Sequence, residues 1–338
     1  MRAMVLNSIA SMDERRAPLE FVDMPRPVPG VGEILVEVSV CGVCHTELDE
    51  IEGRTRPPNL PIVPGHQAVG LVAELGRACN RFELGDRVGV GWIHSSDGSV
   101  TENISRSFRA TGRDVNGGYA EFMTVPENYA YPIPKEFSDA EAAPLLCAGG
   151  VGYRALRLAE IEDGQVLGLT GFGGSGHLVL QLARHLYPSS ALHVYARSKK
   201  EQEFAMELGA DWSGDTEADP PELAHAIIDT TPAWKPVLAA LERLRPGGRL
   251  VINAIRKEDI DRDLMAGIRY EDHLWHEKSI RTVANVTSHD IVEFLPIAAS
   301  IPLKVSVQPY ALEHANEALQ ELREGHLRGA KVLTIKNI

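Results

Sequence analysis

The stretch Val166-Leu167-Gly168-Leu169-Thr170-Gly171-Phe172-Gly173-Gly174-Ser175-Gly176 runs directly into His177-Leu178-Val179-Leu180-Gln181-Leu182-Ala183. An apolar strand that enters a G-x-G-x-x-G loop and leaves it as an apolar helix is the opening of a dinucleotide-binding βαβ unit. Gly171 permits the tight turn, Gly173 lets the backbone approach a pyrophosphate, and Gly176 lets the helix close onto the strand. The helix amino terminus then faces the phosphates. Gly171, Gly173, Gly174 and Gly176 are therefore the expected cofactor-binding glycines.

Beyond the loop, strands at 192–195, 226–228 and 249–253 alternate with helical patterns at 199–208 and 236–244, which predicts a parallel sheet covered by helices on both faces. The first ~145 residues have a different texture, with short β-branched runs at 34–40, 68–74, 87–90 and 119–125 broken by Gly and Pro. The expected organisation is α/β. A β-rich domain spans 1–148, a doubly wound parallel-sheet domain spans 149–290, and the segment 291–338 follows. A chain of 338 residues exceeds the usual size of a single core, in keeping with two domains.

The second strand of the dinucleotide unit ends at Tyr195-Ala196, where an NAD site usually places an acidic residue on the ribose 2′-hydroxyl. Ala196 cannot make that contact. Arg197, Ser198 and Lys199 follow and offer charge-assisted hydrogen bonds to a 2′-phosphate, which favours NADP(H) over NAD(H). The same letters, Ser198 to Glu201, also match a capping box that would make this segment an ordinary helix start.

Four cysteines in a chain of this length do not make a disulfide scaffold. Cys41-Gly42-Val43-Cys44-His45 taken alone fits a redox pair, half of a zinc site or two buried thiols. His66 and Cys147 add an imidazole and a second thiolate, so that one thiol of the Cys41/Cys44 pair with His66 and Cys147 would make the Cys₂His set of a catalytic zinc with one open position.

CGVCHTEL, GHQAVGLV, GDRVGV, GGYAEF, the Cys147 segment and the glycine loop occur in that order. Together they resemble the zinc-dependent alcohol dehydrogenases of the medium-chain dehydrogenase/reductase superfamily. The resemblance covers nearly the whole chain and implies a GroES-like catalytic domain over 1–148, completed by 291–338, beside a Rossmann cofactor domain over 149–290. It implies hydride transfer between a nicotinamide and a primary alcohol/aldehyde pair. Cys44, His66 and Cys147 would hold one zinc per chain, Thr46 would accept the alcohol proton, and His45 would lie by the cofactor phosphates. Trp92 would line the substrate pocket, and Lys331 would sit near the pyrophosphate. Glu47, where the family usually has Asp, would act behind the ligands with a longer reach.

The chain departs from the family pattern elsewhere. Gln67 replaces a Glu after the His ligand, and Asp49 stands where a His often ends the proton relay. The segment 92–105, which usually carries four cysteines for a structural zinc, contains none. No structural zinc is expected, and His94, Asp97 and Glu102 are expected in a solvated loop. A homodimer or homotetramer is implied, with 301–307 as a pairing edge. The rival readings are a zinc-free enoyl or quinone reductase of the same superfamily and a non-catalytic dinucleotide-binding protein.

A net charge of −13 repels phosphate backbones and acidic lipid surfaces, so nucleic acid is not an expected partner. No apolar run approaches the ~20 residues of a membrane span. The expected setting is cytoplasmic, and the expected partner is a small-molecule alcohol or aldehyde.

Overall fold

The computed structural model describes residues 1–325 and 329–336, so residues 326–328 and 337–338 of the expected segment 291–338 lie outside the described residues. The chain divides into two units. The first comprises Met1–Gly150, Val286–Ser300 and Val305–Ile338, and the second comprises Val151–Asn285 and Ile301–Lys304.

The second unit is built on a six-stranded sheet. Its order is Trp212–Gly214, Ala191–Tyr195, Val166–Thr170, Ala224–Asp229, Leu244–Ile252 and Ser279–Thr282, and every pairing is parallel. Chain order is therefore reversed on one side of Val166–Thr170 and resumed on the other, which is the Rossmann arrangement with its switch point beside the first strand. Val166–Thr170 is buried at every position, as expected of a central strand with both faces covered. The helical pattern at 236–244 ends earlier than its periodicity suggests. The helix Lys235–Glu242 stops before Arg243, and Leu244 already belongs to the next strand, where its pairing supplies the hydrogen bonds.

At the carboxyl ends of the central strands Thr170 lies opposite Asp229. The buried Asp229 carboxylate accepts from the Thr170 hydroxyl at 2.6 Å, from the Thr231 hydroxyl at 2.7 Å and from the Lys257 ammonium. This network fixes the floor under the glycine loop. Gly171 has φ +80°, and a Cβ there would lie 2.9 Å from both Thr230 and Thr231 side chains, so only glycine fits the turn.

The first unit is organised around the eleven-residue strand Glu33–Val43. On one edge it pairs with Phe122–Pro126 along its first half and with Ala330–Thr334 along its second, and on the other edge with Ala68–Leu75. Arg87–Val90 and Ala130–Pro132 extend the sheet. The register places Ala68 between Cys41 and Val90. Residues just beyond the ends of three adjacent strands, Cys44, His66 and Trp92, are thereby gathered at one end of the sheet.

One edge expectation is corrected. No strand occupies 301–306, and Val307 opens the strand Val307–Ala311, which pairs in parallel with Ala330–Thr334 inside the first unit. Among the described residues no helix is long and apolar enough to cross a membrane.

Candidate functional site

Cys44 is the residue at which the strand Glu33–Val43 turns into the short helix His45–Ile51. Its backbone N–H donates to Glu47 Oε2 at 2.8 Å, closing the first turn in the manner of a capping box. Glu47 Oε1 lies 2.6 Å from His66 Nδ1. One carboxylate thus fixes the entry of the helix and the orientation of the imidazole, with His66 and Glu47 both essentially inaccessible to solvent. Gly65, immediately before His66, has φ +98°, and a Cβ there would strike the Tyr119 ring at 2.3 Å. Cys147 comes from a π-helical turn, Leu145–Gly149, packed against the helix Ser288–Ser300, with Phe294 occupying the space a side chain on Gly149 would need.

One donor atom from each of Cys44, His66 and Cys147 lies within 4.8 Å of the other two. Ligands at about 2.0–2.3 Å around one tetrahedral ion require donor separations somewhat below this limit, so the arrangement fits a single metal ion. His66 Nε2 is buried and has no hydrogen-bond partner among the described residues. A buried nitrogen without a partner, on a ring whose other nitrogen is held by a carboxylate, is the state of a metal-ligating histidine. A hydrogen bond with the Cys147 thiol holds the Cys44 thiol well below its ordinary value, burial opposes this, and His66 reinforces it. Cys41, fully buried, is pushed well up by desolvation and by the Glu47 charge, against a hydrogen bond from the Gln67 backbone. The soft donor set of two sulfurs and one imidazole suits zinc.

Trp92 sets its ring edge-on to His66, with centroids 4.9 Å apart and planes at 83°. Phe108 lies 6.4 Å from Trp92, and the Arg113 guanidinium sits 5.8 Å from each of these two rings. Thr46 is buried, its hydroxyl 3.6 Å from Cys44 Sγ, whereas His45 is exposed.

Residues 30–135 match the alcohol dehydrogenase GroES-like domain family. Over 329 residues the chain is 40% identical to a probable alcohol dehydrogenase, AdhA, of Mycobacterium tuberculosis, covering 94% of this chain and 93% of that one. An alcohol dehydrogenase of Geobacillus stearothermophilus is 31% identical over 97% of this chain and 98% of its own length. The chain belongs to the alcohol dehydrogenases of the medium-chain dehydrogenase/reductase superfamily. The fold agrees with this: the crystal structure of the alcohol dehydrogenase of Aeropyrum pernix superposes with a TM-score of 0.86, covering 99% of this chain and 100% of that one at 24% identity.

In this alcohol dehydrogenase the other expected residues fall into two groups. Gly171 and Gly176 occupy the turn and the first helical position, and a Cβ on Gly176 would lie 2.7 Å from the Gly171 carbonyl. Gly173 accepts a hydrogen bond from His177 Nδ1 at 3.0 Å, and Gly174 lies between the two in the same loop. Arg197 is exposed and has no ion-pair partner among the described residues. Ser198 and Lys199 are engaged locally: the Ser198–Glu201 capping box forms, and Lys199 Nζ donates to Gln202 Oε1 at 3.0 Å.

Lys331 is a correction. Its side chain is fully buried in the first unit, and its ammonium donates to Glu321 at 2.6 Å, Tyr310 at 2.7 Å and Gln308 at 3.2 Å. All three donors are consumed within the protein, so none is left for a pyrophosphate.

The cysteine-free segment is the second correction. Asp97 is exposed as expected, but His94 and Glu102 are buried. Glu102 accepts from the Ser288 N–H and hydroxyl, both at 2.6 Å, and from the Tyr129 hydroxyl at 2.9 Å. Tyr129 also accepts from the Ser96 N–H at 3.0 Å. A buried carboxylate with three donors thus ties the segment to the helix Ser288–Ser300 and to Tyr129. Sequence reasoning missed Glu102 because its partner Ser288 is 186 residues away.

Sequence reasoning also missed Glu50, which is 1% exposed with neither carboxylate oxygen hydrogen-bonded among the described residues. The available signal was helical spacing, since Glu50 lies one turn beyond Thr46 and Glu47.

Proposed function

We propose that this alcohol dehydrogenase is zinc-dependent and interconverts a primary alcohol and its aldehyde with NADP(H) in preference to NAD(H). The observation that carries the zinc reading is the convergence of Cys44, His66 and Cys147 around the partnerless His66 Nε2. It disfavours a zinc-free enoyl or quinone reductase, which has no use for three converging ligands. When bound, zinc supplies Lewis-acid chemistry, drawing charge toward the substrate oxygen.

The protein's own groups do the rest. Glu47 keeps the His66 proton on Nδ1, which leaves Nε2 free as a donor to the metal. Thr46, buried beside Cys44, is placed to hold the proton lost by an alcohol, and the exposed His45 offers the next step toward solvent. Trp92 packs against His66 and narrows the space at the metal, which favours an unbranched carbon beside the hydroxyl. NADP(H) preference is supported by Ala196 at the end of its strand and by the exposed, unengaged guanidinium of Arg197. The capping box spends the Ser198 hydroxyl, so Arg197 carries this selectivity.

The test is an aldehyde panel run with NADH and NADPH on metal-analysed protein, repeated on C44S and R197A. Reduction should need about one zinc per chain and disappear in C44S. R197A should lose roughly tenfold or more in KM for NADPH while leaving NADH nearly unchanged. Full turnover by metal-free protein would overturn the zinc reading, and equal efficiency with both cofactors in the unaltered enzyme would overturn the NADP(H) reading.

A further inference from the structure

Four of the six residues in Gly171-Phe172-Gly173-Gly174-Ser175-Gly176 are glycines, and fixing glycine backbone in one conformation costs more entropy than fixing any other residue. Among the described residues the N–H groups of Gly173, Gly174, Ser175 and Gly176 find no acceptor. Donors left open at a helix start suit an anionic group such as a pyrophosphate. A chain this free to move has to be held in that open form before the anion arrives.

The first glycine is held from outside the loop. Gly171 N–H donates to the Tyr195 carbonyl at 2.9 Å, and its carbonyl accepts from the Thr230 hydroxyl at 3.4 Å. At the two central glycines, the one side chain among the described residues that donates to the backbone is His177, whose Nδ1 lies 3.0 Å from the Gly173 carbonyl oxygen. A carbonyl only accepts, so the proton sits on Nδ1 and Nε2 carries a lone pair. That Nε2 is buried and has no partner among the described residues. Desolvation pushes the His177 pKa down, against the Gly173 and Gly174 carbonyls, which keeps the ring neutral. An apolar side chain of similar size would avoid the cost of the orphaned Nε2, so the imidazole is explained by what its other nitrogen does.

The ring is itself held in place. It stacks on Phe204, with centroids 6.2 Å apart and planes at 30°, and Phe172 meets the same Phe204 ring edge-on at 5.6 Å and 75°. Phe172 and His177 flank the glycines in sequence, and both rest on one side chain of the helix Lys199–Glu207.

We propose that His177 is a positioning residue for the dinucleotide: braced against Phe204, its Nδ1–H fixes the Gly173 carbonyl and keeps the loop in the form that offers its N–H groups to the pyrophosphate. This rests on the reading of the glycine loop as the cofactor site. Ordering the loop in advance removes that cost from binding. The pyrophosphate is common to both dinucleotides, so the gain applies equally to NADH and NADPH and is independent of Arg197.

The test titrates NADH and NADPH fluorescence with the unaltered enzyme, H177L, H177N and H177Q, and follows urea unfolding of the same samples. Asparagine carries its amide N–H where Nδ1 stands, one bond beyond Cγ. Leucine has no donor, and the glutamine amide lies one carbon farther out, away from Gly173. H177L and H177Q should raise Kd for both dinucleotides by the same factor, roughly 3- to 10-fold, and H177N should restore it to within about twofold. Affinity should follow the donor and not the urea midpoint. Should H177L not fold, H177Q against H177N makes the same comparison. Equal affinities in H177L, H177N and the unaltered enzyme would overturn the proposal. So would equal losses in H177L and H177N, which a packing role alone would give, or a loss confined to NADPH, which would put the effect on the helix Lys199–Glu207. Failure of the unaltered enzyme to bind either dinucleotide would instead overturn the reading of the loop itself.

Discussion

At the scale of single residues, Glu47 does more than its position in the sequence announces. One oxygen caps the helix at Cys44 and the other orients His66, so the carboxylate links two members of the candidate metal site that are 22 positions apart in the chain. E47Q retains the volume but weakens both interactions. Its expected effect is a loss of roughly 10- to 100-fold in metal affinity, measured by competition with a chromophoric chelator. The convergence of Cys44, His66 and Cys147 was legible because two sulfurs and an imidazole are rare chemistry in recognisable local settings. Lys331 was misread for a matching reason. Its position in the order of motifs pointed to a phosphate, but the partners that bury it, Glu321, Tyr310 and Gln308, come from other elements and carry no local signal.

At the scale of elements, the glycine loop and its strand were legible because strand, turn and helix are neighbours in sequence, and Gly171 and Gly176 each answer a local steric demand. G171A meets both a positive φ and the Thr230–Thr231 side chains. It should destabilise the protein by about 1–3 kcal/mol and lower dinucleotide affinity, checked by denaturant unfolding and by NADPH fluorescence titration. The segment 92–105 was not legible. Its lack of cysteines suggested a solvated loop, whereas Glu102 anchors it to Ser288 and Tyr129. E102A leaves the Tyr129 hydroxyl and the Ser288 N–H without their acceptor, and should reduce stability by roughly 2–4 kcal/mol while one metal per chain is retained. Urea unfolding and metal analysis of the same sample check both parts.

At the scale of the whole molecule, stability should depend on the protonation of His94. Burial, followed by the nearby Arg109 charge, lowers its pKa to about 4 from an ordinary value of 6.5. The unfolded chain takes up a proton as pH drops through 6.5, and the folded one does not until about pH 4. The unfolded state therefore binds more protons in this window, and stability falls with falling pH. The contribution is fully present above pH 6.5 and shrinks by roughly 3 kcal/mol on reaching pH 4. Unfolding free energies of H94Q and the unaltered enzyme, compared at pH 7 and pH 4.5, should differ in slope accordingly. Equal slopes would show that His94 is hydrated in the native state.

The division of the chain carries one more consequence. The boundaries fall after Gly150, Asn285, Ser300 and Lys304, and the tetrapeptide Ile301–Lys304 belongs to the unit that its neighbours on both sides do not. Gln181 holds it there, donating to the Lys304 carbonyl at 3.2 Å and accepting from its N–H at 2.9 Å. The cofactor half therefore cannot be excised as one uninterrupted stretch. A gene fragment ending at Asn285 would leave Gln181 facing water in place of its missing peptide, and a protease cut after Gly150 would leave the two halves still tied together. Anyone grafting this nucleotide module onto another catalytic scaffold would have to carry the four-residue stitch along with it.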